Sequence, residues 1–127
     1  MTKVYAIRPE GSDHIFRQMC AGFRVDYESV DHISDIKESN IVVFHPQTID
    51  NPNWVKLLNF DNTMEFRHTP DAVYVFGSDE GNIIDDIECH SMKAKVRFVY
   101  IPCKSGLNLH ATTACAIALY DLYMENN

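Results

Sequence analysis

The chain has 127 residues, 46% hydrophobic and 11% aromatic, which gives room for one domain around one core and a composition far from disorder. Its 18 acidic against 11 basic residues leave a formal charge of −7, so no general field draws it toward nucleic acid or an anionic membrane. Any anionic partner has to be met by a local patch, and a single domain spanning residues 1–127 is the expectation.

Runs rich in β-branched and aromatic residues predict strands at Val4–Ile7, Arg24–Val30, Ile41–His45, Ala72–Gly77 and Val96–Ile101. Helical spacing falls between them. Ile15, Met19 and Phe23 follow the first strand, Trp54, Leu57 and Leu58 the third, and Ile83, Ile84 and Ile87 the fourth. The last segment, Leu107–Met124, carries the strongest helical pattern, with Ala111, Ala114, Cys115, Ala118, Leu119 and Leu122 on one stripe. Much of that stripe is small, which predicts close packing on the sheet, with self-association as the second reading. Strand and helix alternate, so the expected fold is α/β, a mostly parallel sheet with helices on both faces. The continuous apolar runs IVVF, VYVF and FVYI suit central strands buried on both sides.

Cys20, Cys89, Cys103 and Cys115 form no C-x-x-C pair and read as reduced thiols. The gaps among Cys89, His90, Cys103, His110 and Cys115 match no zinc ribbon or finger, so no metal is expected. The N-terminal MTKVYAIRPE lacks the apolar stretch of a signal peptide, and no apolar run approaches about 18 residues. A cytoplasmic protein without a membrane partner is the corresponding expectation.

In an open parallel sheet, ligands collect at the carboxyl ends of the strands. Three such ends carry candidate chemistry. Phe76-Gly77-Ser78-Asp79-Glu80-Gly81 has two glycines that permit close backbone approach; alternatively it is a turn with Ser78 or Asp79 as a helix cap. Ile101-Pro102-Cys103-Lys104-Ser105-Gly106-Leu107-Asn108 ends on an asparagine that either caps the final helix or contacts a ligand. The segment from Arg8 to Arg17 enters the first helix, where Arg17 either sits on a solvated face or directs its guanidinium at a phosphate. No G-x-G-x-x-G follows the first strand, and neither a P-loop nor G-x-S-x-G occurs, which removes dinucleotide, P-loop and serine-hydrolase readings.

Taken in order, Phe76-Gly77 with Asp79-Glu80-Gly81, Ile101-Pro102, Leu107-Asn108 and Leu119-Tyr120-Asp121 resemble the SpoU/TrmH-like branch of the SPOUT superfamily. That branch consists of RNA ribose 2′-O-methyltransferases. The resemblance covers Ala72 to Tyr123 well and the N-terminal half more loosely, where Arg17 and Cys20-Ala21-Gly22-Phe23 match the first motif. It implies a C-terminal deep trefoil knot, S-adenosyl-L-methionine as cofactor, and a homodimer through the C-terminal helix. It implies RNA, tRNA ahead of rRNA, as substrate. Carried over residue by residue, cofactor contacts fall on Phe76, Gly77, Gly81, Ile101, Gly106 and Leu107, with Phe44 and His45 as the remaining wall. Arg17 and Asn108 take the catalytic places, Arg17 holding a phosphate and Asn108 orienting a nucleotide or the cofactor. Gly11-Ser12-Asp13-His14 stands where the family has an Asn and a Gly. That departure motivates the rival reading, a catalytically silent SPOUT-fold dimer that binds cofactor or RNA.

Overall fold

The computed structural model describes residues 2–44, 63–69, 71–77, 95–101 and 110–125. The first strand, β1 (Lys3–Ile7), leads through a 3-10 turn at Glu10–Ser12 into helix α1 (Asp13–Gly22), and α1 returns the chain to β2 (Asp26–Val30). After a second 3-10 turn at Ile33–Asp35 come β3 (Asn40–Phe44), β4 (Thr63–Glu65), β5 (Val73–Phe76), β6 (Lys95–Tyr100) and helix α2 (Ala111–Glu125).

The strands form one six-stranded sheet in the order β2-β1-β5-β3-β6-β4, and every neighbouring pair is parallel. All four residues of β5 are buried, as are Ile41–Phe44 of β3. Such strands have both faces covered, which is why their sequences are apolar without alternation. One face gathers Val4, Ala6, Val42, Phe44, Tyr74, Phe76 and Val99 under Phe16 and Cys20 of α1 and Ala114, Cys115, Ala118 and Leu119 of α2. The other gathers Tyr5, Ile7, Ile41, Val43, Val73 and Val75 with Ile33 and Ile36. Both α-helices among the described residues therefore lie on one face. The opposite face is met, among those residues, by the 3-10 turn and Ile36 rather than by an α-helix. The helices expected around Trp54–Leu58 and Ile83–Ile87 lie outside the described residues, as do the connections a knot would need.

Several boundaries differ from the sequence expectation for identifiable reasons. The second strand begins at Asp26 rather than Arg24 because α1 ends in a Schellman turn: Val25 N–H donates to the Cys20 carbonyl at 2.8 Å and Arg24 N–H to that of Ala21 at 3.2 Å. Arg24 itself holds the left-handed position, φ 57°, usually given to glycine. The buried stripe of α1 is Phe16 and Cys20, whereas Ile15 is 39% exposed; Met19 and Phe23 only flank the core. β4 was not foreseen, since Thr63-Met64-Glu65 is too short to show a pattern and owes its strand form to pairing with β6. In α2 the small-residue stripe packs on the sheet, so the intramolecular reading holds for Ala114, Cys115 and Ala118.

Leu119 is 1% exposed at the centre of the α2 contact. Leu119→Ala is expected to cost about 2–5 kcal/mol in urea denaturation, while Thr113→Ala on the exposed side changes stability by no more than about 0.5 kcal/mol.

Candidate active site at the carboxyl edge of the sheet

Strand register brings the carboxyl ends of four strands to one edge. Phe76 is level with Ala6 on one side and Phe44 on the other, and Phe44 is level with Val99 on β6. The Phe44 and Phe76 rings stack, 4.5 Å between centroids and 16° between planes. Both rings are buried in the α1/α2 face of the core, so at this edge their backbone, not their side chains, is what a ligand can reach. Gly77 follows immediately and is partly exposed, and Ile101, one residue past β6, packs partly buried against the same cluster. The structure thus brings Phe44, Phe76, Gly77 and Ile101 to a common edge. His45, Gly81, Gly106, Leu107 and Asn108 lie outside the described residues.

Arg17 sits one turn into α1, which starts at this edge because the chain enters it from the carboxyl end of β1 through the 3-10 turn at Glu10–Ser12. Its Nε donates to Asp13 Oδ2 at 2.7 Å, an i, i+4 pair, and its guanidinium lies 5.3 Å from the centroid of the Tyr27 ring. The Tyr27 hydroxyl donates to the other Asp13 oxygen at 2.8 Å. Tyr27 stacks on Phe16 at 5.9 Å, and Phe16 meets Phe76 at 6.0 Å. A continuous run of rings therefore ties Arg17 to the strand ends. Asp13 and Tyr27 are the partners that sequence reasoning missed; the i, i+4 spacing was legible, whereas Tyr27 arrives from β2.

The Arg17 guanidinium first, and the Tyr27 hydroxyl second, hold the Asp13 carboxyl below its ordinary value of 3.8. Asp13 in turn raises Arg17. Burial, followed by the hydrogen bond to Asp13, pushes the Tyr27 hydroxyl up. The Arg17 side chain is nevertheless 59% exposed, so solvent screens the ion pair and an incoming anion can displace the carboxylate.

Arg8, at the end of β1, keeps its Nη2 buried with no hydrogen-bond partner among the described residues, and its backbone holds φ 45°. A buried donor left unpaired carries a desolvation cost. Arg24 does not join it: Arg8 N–H bonds to Val30 at the end of β2, whereas Arg24 precedes the start of that strand, so α1 separates the two arginines to opposite edges. Of these arginines, Arg8 and Arg17 stand at this edge and Arg24 at the opposite one.

Searches against protein-family models, curated proteins and solved structures find no match to the chain.

A carboxyl held below its unfolded value stabilises the fold at neutral pH and loses that contribution as pH falls through the folded value. Asp13→Asn is therefore expected to lower the urea midpoint above about pH 5, with the difference from the parent chain closing below about pH 3. A difference that persists unchanged at the acid end removes the Asp13–Arg17 assignment.

Proposed function

We propose that the chain is a SPOUT-type, S-adenosyl-L-methionine-dependent RNA ribose 2′-O-methyltransferase, with tRNA as the favoured substrate. The observation that carries this reading is the strand order. β6, the last strand, lies between β3 and β4, both of which precede it in the chain. A final strand placed between two earlier ones is compatible with a threaded C-terminal segment, and the ordered motifs Phe76-Gly77, Ile101-Pro102 and Leu119-Tyr120-Asp121 fall on or beside β5, β6 and α2. Such threading departs from the general rule of unknotted connections.

The cofactor supplies an activated methyl group to the ribose 2′-oxygen. The fit rests on the edge itself: backbone at the ends of β3, β5 and β6, and Gly77, where the absence of a Cβ suits close approach of a flat heterocycle. The chain's own work is orientation and charge. Arg17 exchanges Asp13 for an RNA phosphate and holds the ribose in line, stabilising negative charge as the hydroxyl loses its proton. Its guanidinium stays charged, so it is a positioning and electrostatic group rather than the base. Arg8 offers a second cation at the same edge. With a chain charge of −7, RNA affinity depends on these few contacts and falls with salt.

Dimerisation through α2 belongs to the same proposal. Ile117, Tyr120, Tyr123 and Met124 are large apolar side chains 41 to 57% exposed, on the faces of α2 left after the alanine stripe has packed inward. The rival, a catalytically silent fold, is favoured by one observation: Arg17 is already occupied by Asp13, where the family pattern places no acid.

Calorimetric titration with S-adenosylmethionine and S-adenosylhomocysteine, with mass by light scattering, tests cofactor and dimer together. One saturable site per chain in a dimer is expected. Gly77→Val is expected to remove that binding, and Arg17→Ala to retain it while abolishing methylation of unmodified tRNA, read as 2′-O-methylnucleosides by mass spectrometry. Binding without turnover in the parent chain selects the silent reading, and no binding of either ligand defeats the methyltransferase reading and leaves a silent RNA-binding dimer or an unrelated fold.

A further inference from the structure

The segment Phe66–Thr69 leads from β4 toward β5 and holds His68 in a fixed orientation. The imidazole meets the Phe66 ring edge-on at 4.6 Å and lies 5.8 Å from the Tyr74 ring. Its Nδ1 is 2.5 Å from Tyr74 Oη, and only 8% of the side chain is exposed. Its other nitrogen, Nε2, faces α2, 2.7 Å from Asp121 Oδ2 and 3.7 Å from Glu125 Oε2. These three ligand atoms all lie within 4.8 Å of one another.

A pair of exposed carboxylates one helical turn apart is ordinarily a solvated face. Here a third donor is added, an imidazole more than nine-tenths buried, aimed at both acids and oriented from behind by Tyr74. Neither Asp121 nor Glu125 has a Lys or Arg partner among the described residues.

We propose that His68, Asp121 and Glu125 form a binding site for one divalent transition-metal ion of the zinc class. One imidazole and two carboxylates are the donor set of three-ligand zinc sites, which keep a fourth position for water. An ion about 2.0–2.2 Å from each donor requires donor separations of about 3.2–3.6 Å. The His68–Glu125 distance is already close to that, and the exposed Asp121 side chain opens by rotating away from Nε2. In the bound form Nε2 gives its lone pair to the ion and the ring proton sits on Nδ1, which donates it to Tyr74 Oη. That outer hydrogen bond fixes the tautomer. The ion joins α2 to the chain ahead of β5, positions 53 residues apart. The site is independent of the methyl-transfer reading.

The test is equilibrium dialysis of the full chain, thiols kept reduced, against zinc chloride, with Asp121→Asn and Glu125→Gln in parallel. Both substitutions are at exposed positions and leave the fold in place. One zinc ion per chain is expected, weakened by at least about tenfold in each variant. Zinc is also expected to raise the melting temperature of the parent chain and not of the double variant. Absence of saturable zinc binding overturns the proposal, and so does binding that neither substitution weakens, since the cysteines are then the ligands.

Discussion

The constraint on which the rest of this molecule depends is the double-sided burial of β5 and β3. A strand enclosed on both faces can offer ligands only its backbone ends, and it can hold its position only if its neighbours share its register. Phe44 and Phe76, level with one another and stacked at 4.5 Å, meet both conditions at the carboxyl edge. Everything that bears on function is placed relative to that pair: Gly77 follows it, Phe16 touches it, and through Phe16 and Tyr27 the Arg17 guanidinium is fixed to it.

The two helices divide the remaining work unequally. α1 is amphipathic in the ordinary sense, burying Phe16 and Cys20 and leaving Asp13 and Arg17 toward water. α2 is apolar on more than one side. Its small residues let it lie close to the sheet, and the larger Ile117, Tyr120, Tyr123 and Met124 stay exposed. Tyr123 is steadied by an edge contact with Phe23, which links the far end of α2 to the end of α1. A helix that is satisfied by its own sheet yet keeps this much apolar surface is suited to a second contact.

Electrostatics explain how an acidic chain keeps a cationic edge. Against a formal charge of −7, two arginines stand between the end of β1 and the first turn of α1, Arg17 tethered by Asp13 and Arg8 with a buried nitrogen that has no partner among the described residues. The tether keeps Arg17 oriented without burying it, and solvent screening keeps the tether weak enough to exchange. At the other end of the same logic, Asp121 and Glu125 concentrate negative charge around one buried imidazole.

The α/β class, the parallel central strands and the final helix were legible in the sequence, because continuous apolar runs and a helical stripe report burial directly. The small-residue stripe of α2 and the i, i+4 spacing of Asp13 and Arg17 were legible too, being local. Boundaries were less so: Arg24 reads as the start of a strand, and only the backbone closure of α1 shows it in a left-handed turn. The short β4 exists through its pairing with β6, and the placement of β6 between β3 and β4 depends on the path of the whole chain, which no local pattern encodes. The same holds for the rings that join Arg17 to Phe76 and for His68 meeting Asp121. The sequence by itself determined which strands are buried and the small stripe of α2, since burial is a property of composition and period, whereas on α1 it pointed to Ile15, Met19 and Phe23 and the buried pair is Phe16 and Cys20. Only the tertiary structure decided which of those segments are neighbours, because long-range contact is set by topology and register rather than by any residue's own preference.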